Sequence, residues 1–154
     1  MTERVPFQAT EAAEPYAGIE RLPVVLLLDN VRSMYNVGSF FRTADAAAVE
    51  RLVLGGITAF PPKRGITKTA LGAEERVPWE HQWDVLERAR GLHGSGFELV
   101  AIETSTHAVD LFDWTPRWPV CVMFGHEVDG LRPELLALCD RHVRIPMLGR
   151  KHSL

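Results

Sequence analysis

Residues 23–56, PVVLLLDNVRSMYNVGSFFRTADAAAVERLVLGG, decide the fold. They open on an apolar run over 24–28, long enough for a strand buried on both faces. Asp29 and Asn30 stop that run, and a loop over 31–35 leads to Asn36, Val37 and Gly38. From Ser39 the period turns helical, with Phe40, Phe41, Ala44, Ala47 and Ala48 at helical spacing. A second apolar run over 51–54 ends at Gly55 and Gly56, a turn signal. Strand, loop, helix and strand within about thirty residues make a βαβ unit, which implies a parallel pair and a right-handed crossover. The unit brings Asn30, Asn36 and Arg42 to the carboxyl end of a parallel strand, where open α/β sheets carry their sites. Arg42 lies among small and apolar helix neighbours, so a buried guanidinium there needs a core carboxylate or an anionic ligand. The loop carries neither G-x-G-x-x-G nor G-x-x-x-x-G-K-[ST].

Outward from this unit, strands and helices keep alternating. Residues 1–22 form an extension rich in Glu and Ala, and residues 23–154 a single domain. Residues 57–79 have no clean period; Pro61, Pro62 and Gly65 mark a loop, and residues 67–73 a short helix or turn. This is the densest basic segment, with Lys63, Arg64, Lys68 and Arg76, and it reads either as a solvated loop or as phosphate contacts. A helix is expected over 83–92, a strand over 97–102, a connection over 108–118, a fully apolar strand over 119–124, a short helix over 134–139 and a last strand over 142–145. The expected architecture is α/β, a parallel sheet with helices on both faces.

The composition narrows the class. The chain has 154 residues, enough for one domain with a real core. A net charge of -3 excludes a generally basic nucleic-acid binder but permits a local basic face. No apolar run is long enough to span a bilayer, and no basic-then-apolar leader opens the sequence. Cys121 and Cys139 lie in apolar stretches and read as reduced core thiols of a cytoplasmic protein. His126 beside Glu127 lacks the second His of H-E-x-x-H, and the other histidines lack ligand spacing, so no metal is expected. A hydrolase reading has no anchor, because 94–96 is not the G-x-S-x-G elbow.

Three glycine-bearing loops follow apolar strands, over 29–38, 124–130 and 146–154, and should gather at one sheet edge. Glu127 is the carboxylate directly after a buried strand. It reads equally as a cap or Arg partner and as a group that orients a ligand or holds Arg42.

Together these loops resemble the SpoU-type, or TrmH-like, RNA ribose methyltransferases of the SPOUT superfamily. The first motif of that family, N-x-G-x-x-x-R, matches Asn36, Gly38 and Arg42. The second, strand then G-x-E-x-x-G, matches Phe124, Gly125, Glu127 and Gly130. The third, I-P-M-x-G continuing to S-L-N-V-S, matches Ile145, Pro146, Met147 and Gly149, then Ser153 and Leu154. The resemblance implies a SPOUT fold with a C-terminal trefoil knot, an exception to the unknotted rule. The sequence stops inside the third motif, so a continuation carrying the knot helix is expected.

The resemblance further implies methyl transfer from S-adenosylmethionine to a ribose 2′-hydroxyl of RNA, transfer RNA being preferred to ribosomal RNA. Arg42, Asn36, Glu127 and Ser153 would form the catalytic set, with Arg42 either the general base of the family view or, the preferred reading, on a phosphate and stabilising the oxyanion. Backbone groups of Phe124, Gly125, Ile145, Met147 and Leu154 would hold the methyl donor. Arg32, Lys63, Arg64, Lys68, Arg150 and Lys151 would grip RNA, supplemented by the second subunit of a homodimer. Two other classes stand beside this reading: a SPOUT-fold RNA-binding module without catalysis, and a non-RNA nucleotide enzyme, which would need a phosphate loop.

Overall fold

The structure, a computed structural model, describes residues 20–151. Ser153, Leu154, most of the amino-terminal extension and the expected knot therefore lie outside the described residues. Seven strands form one sheet in the order β3-β2-β1-β6-β4-β7-β5, and every pair is parallel. The strands are β1 (Leu22–Asp29), β2 (Val49–Gly55), β3 (Trp79–Gln82), β4 (Glu98–Ile102), β5 (Val109–Asp110), β6 (Val120–Phe124) and β7 (Arg141–Arg144). Four helices connect them: α1 (Met34–Ala46), α2 (Arg64–Ala70), α3 (Val85–Gly94) and α4 (Pro133–Leu138).

The apolar run of β1 feeds two cores because alternate side chains leave opposite faces. Val25 and Leu27 join Val85, Ala89 and Leu92 of α3 and Leu135 of α4. Leu28 joins Val37, Phe41 and Ala44 of α1 and Ile66 and Ala70 of α2. The sheet is thus covered on both faces, as a parallel sheet requires.

Three boundaries differ from the sequence reading, each for a local reason. Helix α1 begins at Met34, so Asn36 and Gly38 are helical rather than in the loop. Ser33 caps it, its side chain accepting the Asn36 backbone N–H. In the unpatterned 57–79 segment the short helix or turn expected over 67–73 is α2, starting earlier at Arg64, and the unexpected β3 begins at its last residue, Trp79. The basic residues Arg64 and Lys68 lie on α2, and β3 closes the sheet as a short edge strand. Trp83 precedes α3, whose cap is Asp84, accepting the Glu87 N–H; Val85 takes the buried position that the helical spacing assigned to Trp83.

Gly38 explains how α1 and α2 sit together. A Cβ there would collide with Thr69 Oγ1 and the Ile66 carbonyl of α2. Thr69 Oγ1 also donates to the Tyr35 carbonyl of α1 at 2.8 Å. The glycine of the first motif is therefore a helix-crossing residue, not a point of ligand approach. Gly38→Ala must push the helices apart, against backbone that cannot yield. It is expected to lower stability by about 1–3 kcal/mol, the usual cost of overpacking, seen as a reduced denaturation midpoint with an unchanged m-value.

Candidate functional site

A pocket of about 510 Å³ opens at the carboxyl ends of β6, β4 and β7, beside the start of α1. Its wall includes Asn36, Phe40, Glu103, Phe124, Gly125, Glu127, Arg144, Ile145 and Met147. It lies where the strand order turns from the β1-β2-β3 side to the later strands.

The loop after β6 is tightly made. His126 and Gly130 exchange both backbone hydrogen bonds, folding residues 126–130 into a narrow turn. A Cβ on Gly125 would strike the Gly130 and Leu131 backbone. Gly130 has φ +70 and lies against the Glu103 carboxylate, so both glycines are conformational requirements. Glu103 Oε2 accepts the Leu131 N–H at 3.2 Å, and its Oε1 accepts the Thr104 N–H at 3.0 Å. His126 Nδ1 accepts from the Val128 and Asp129 N–H groups, which leaves the proton of the neutral ring on Nε2. Just beyond the turn, Arg132 meets Asp29 at the end of β1 with a two-pronged contact, Nε to Oδ2 at 3.0 Å and Nη2 to Oδ1 at 2.8 Å. Asp29 is 1% exposed.

Glu127 reaches from this turn to α1. Its Oε2 accepts the Arg32 N–H at 2.9 Å. Its Oε1 accepts the Ser33 N–H at 2.9 Å and the Asn36 side-chain amide at 3.2 Å. The first turn of α1 holds no acidic residue of its own, so Glu127 supplies the negative charge that a helix amino terminus favours. Burial by itself would raise the Glu127 carboxyl. The N–H groups of Ser33, Arg32 and Glu127 itself and the Asn36 amide outweigh it and hold the group below the ordinary carboxylate range.

Two expectations are corrected. Glu127 neither caps the helix that follows it nor holds Arg42; it caps α1 from across the sheet edge. Arg42 is exposed, lies outside the pocket wall and forms no ion pair among the described residues. No core carboxylate holds it, because its position on α1 turns outward while Phe41 and Ala44 turn inward. Asn30 also serves structure: it adopts φ 56 and its side-chain oxygen accepts the Ile57 N–H at 3.0 Å.

The remaining candidates separate. Phe124, Gly125, Ile145 and Met147 line the pocket together with Asn36 and Glu127. Arg32, Lys63, Arg64, Lys68, Arg150 and Lys151 are exposed and lie outside the pocket wall. Arg32, Lys63, Arg64 and Lys68 belong to the α1 and α2 side, whereas Arg150 and Lys151 follow β7. Glu103 and Arg144, in the pocket wall, were not singled out from the sequence. Their signal was position alone, each at the end of a strand. Among the described residues no His, Cys, Asp and Glu cluster could hold a metal ion. No helix there is long and apolar enough to cross a membrane. Cys121 and Cys139 are free; burial pushes both thiols up, Cys139 to about 12.

Comparison with known proteins now adds an independent finding. The family model described as the SpoU rRNA Methylase family matches residues 23–154. The 23S rRNA (guanosine-2′-O-)-methyltransferase RlmB of Vibrio parahaemolyticus is 32% identical over 133 residues, covering 86% of this chain and 53% of that protein. An AdoMet-bound rRNA methyltransferase from Sinorhizobium meliloti superposes with a TM-score of 0.79 at 28% identity, covering 88% of this chain and 54% of that one. The SpoU methyltransferase AviRb of Streptomyces viridochromogenes, also in complex with AdoMet, gives 0.73 at 26% identity over 88% of this chain and 53% of that one. The chain spans about half the length of the curated relatives it matches.

The Glu127 contacts carry a pH signature. A carboxyl lowered on folding stabilises above its unfolded pKa, and that contribution is lost as pH falls through the folded value. Glu127→Gln is expected to lower stability by roughly 1 kcal/mol at neutral pH, as a lost cap does. The gap from the parent should close as pH falls below the ordinary glutamate value, about 4.3. Denaturation midpoints of both proteins across that range check it.

Proposed function

The chain belongs to the SpoU rRNA methylase family, and from that premise we propose that it methylates a ribose 2′-hydroxyl of RNA with S-adenosylmethionine as donor. The observation that supports this most is the pocket itself, which joins residues of all three sequence motifs: Asn36, then Phe124, Gly125 and Glu127, then Ile145 and Met147.

The lining fits that donor. Phe40, Phe124, Ile145 and Met147 offer apolar surface suited to an adenine ring, and Phe40 and Phe124 meet edge to face at 4.8 Å. Glu103, Glu127 and Arg144 give the same wall both signs of charge, matching a ligand with a sulfonium, an ammonium and a carboxylate. The volume falls in the range of small-molecule sites, about 300–1,000 Å³. When bound, S-adenosylmethionine supplies an electrophilic methyl on sulfur and departs as the neutral thioether.

The chain's own groups have distinct tasks. A ribose hydroxyl is a poor nucleophile, so its proton must pass to solvent water as its oxygen bonds to the methyl and the sulfur–methyl bond breaks. Glu127 is a weak base for that task, since four N–H donors already stabilise its ionised form. His126 is also unsuited, its Nδ1 being occupied by backbone donors. Asn36 gives its amide N–H to Glu127, which leaves its side-chain oxygen to accept the hydroxyl and aim it. Arg42, exposed and without an ion pair among the described residues, would meet an RNA phosphate and, with the RNA bound, offset the negative charge that develops with the reaction. RNA contact would extend to Arg32, Lys63, Arg64 and Lys68 on the same side, with Arg150 and Lys151 at the far side of the edge. Ser153 and Leu154 belong to this reading as residues that complete the reacting edge and the donor pocket. A homodimer supplying further cations is part of the proposal, and light scattering of the purified chain measures it.

The test is label transfer from S-adenosylmethionine into RNA lacking the modification, with nucleosides analysed after digestion. Label is expected in a 2′-O-methyl nucleoside, reduced about a hundredfold or more in Arg42→Ala and Asn36→Ala. The fraction carrying it separates transfer RNA from ribosomal RNA. Label on a base overturns the ribose reading. Donor binding without transfer to any RNA favours a non-catalytic module.

A further inference from the structure

On the α1 and α2 side of the sheet, four rings form a continuous row at the β3 edge. Trp79 and Phe60 stack with centroids 6.0 Å apart. Phe60 and His81 follow at 4.5 Å, then His81 and Trp83 edge to face at 4.8 Å. Trp79 is anchored against the core beneath α1 and α2, and His81 Nε2 lies 2.9 Å from the Gly56 carbonyl. The row therefore starts in the core and ends in water, where Trp83 is 75% exposed and Phe60 37%. Stabilising packing explains Trp79, but not an indole left open at the end of the row.

Charge around the row is uneven. Lys63 and Arg64 lie three and four residues beyond Phe60 in the chain. Chain geometry confines them to within about 11 and 14 Å of it. Neither forms an ion pair among the described residues, nor does Lys68 on the next turn of α2. Of the acids in and just after β3, both are committed elsewhere, while Glu75, four residues before Trp79, is exposed and forms no ion pair among the described residues. Glu80 points to the opposite face and binds Arg88 at 2.7 Å, and Asp84 caps α3 through the Glu87 N–H. A protein–protein interface core is depleted in charge. Rings beside unpaired cations are instead the combination used for single-stranded nucleic acid, where bases stack and phosphates pair.

Resting on the methyltransferase reading above, we propose that Trp83 and Phe60, with Lys63 and Arg64, form a stacking platform for single-stranded RNA next to the target nucleotide. In the sheet order, β3 is three strand steps from β6, roughly 14 Å at about 4.8 Å per step. The row runs along β3 from its first residue, Trp79, and its exposed end, Trp83, lies just past the carboxyl end of that strand, the same sheet edge at which the pocket opens, so one RNA segment can reach both. The platform contacts bases through ring faces, so it favours unpaired nucleotides over a continuous duplex.

The experiment measures binding of a fluorescein-labelled unstructured RNA of about 12 nucleotides, within known single-strand site sizes, beside methyl transfer to bulk RNA. Trp83→Ala is expected to weaken binding roughly tenfold, the scale of one lost base stack, and Trp83→Phe to restore most of it. Changing Lys63 and Arg64 together to Gln should weaken binding and reduce the salt slope by about 1.4 for two single-strand phosphate contacts. Quenching of tryptophan emission by the RNA should be diminished in Trp83→Ala. If Trp83→Ala binds and quenches as the parent does while the parent still methylates RNA, the platform is overturned and the methyltransferase reading stands. A change in oligomeric state with unchanged RNA affinity also overturns it, assigning the row to contact between copies. A parent that neither binds nor methylates RNA sinks both.

Discussion

The ion pair between buried Asp29 and half-buried Arg132 is the constraint on which the geometry of the site rests. An isolated carboxylate at 1% exposure would cost several kcal/mol. Both of its oxygens are answered by one guanidinium at 2.8 and 3.0 Å. Since Asp29 ends β1 and Arg132 precedes α4, the pair fixes where the loop after β6 must finish. Its other end is fixed by β6, which pairs with β1 through Leu28 and Phe124. With both ends held, residues 125–131 have little freedom. Their tight turn projects Glu127 toward the amino terminus of α1, and that helix in turn sets Asn36.

This chain of dependence explains which parts of the molecule were legible in the sequence. Val24 to Leu28 and Val120 to Phe124 read as buried parallel strands because an apolar run has few other uses, and both are strands. The three motif loops were expected at one edge, and residues of each line one pocket. The partners of those residues were not legible. Glu127 bonds to groups more than ninety positions away, and no local pattern records such a pairing. Gly38 was assigned to an edge loop, and the helix it crosses, α2, was read only in part, as a short helix or turn over 67–73. That segment is short and basic, and its apolar positions Ile66 and Ala70 are too few to show helical spacing. Arg42 misled in the opposite sense. Its small and apolar neighbours suggested burial, yet a helix one residue from Phe41 can place a side chain fully outside.

The same geometry reconciles an acidic chain with the anionic partner proposed for it. The net charge is -3, so attraction of RNA cannot come from the molecule as a whole. The cations of α1 and α2 instead remain unpaired among the described residues, while several acids on the opposite side are consumed in local contacts, as with Glu80 and Arg88. On the α1 and α2 side, Arg32, Arg42, Lys63, Arg64, Lys68 and Arg76 outnumber Asp45, Glu74 and Glu75. A local field suffices at distances inside the Debye length, about 8–10 Å.

Helix α1 joins the two halves of the site. Asn36 faces the pocket at its first turn, and Arg42 stands six residues on, about 9 Å along the axis at 1.5 Å per residue. Six residues also turn the helix through more than one and a half turns, so the two side chains leave different faces. On the proposed function, one rigid element thus carries a group for the small ligand and a group for the polymer. Its position is held from below by Phe41 in the core, from the side by Gly38 against α2, and at its amino terminus by Glu127. A displacement of the helix would move Asn36 and Arg42 together. On the proposed function, the Glu127 carboxylate is consequently better understood as the group that keeps the proposed donor pocket and RNA face in register than as a proton acceptor.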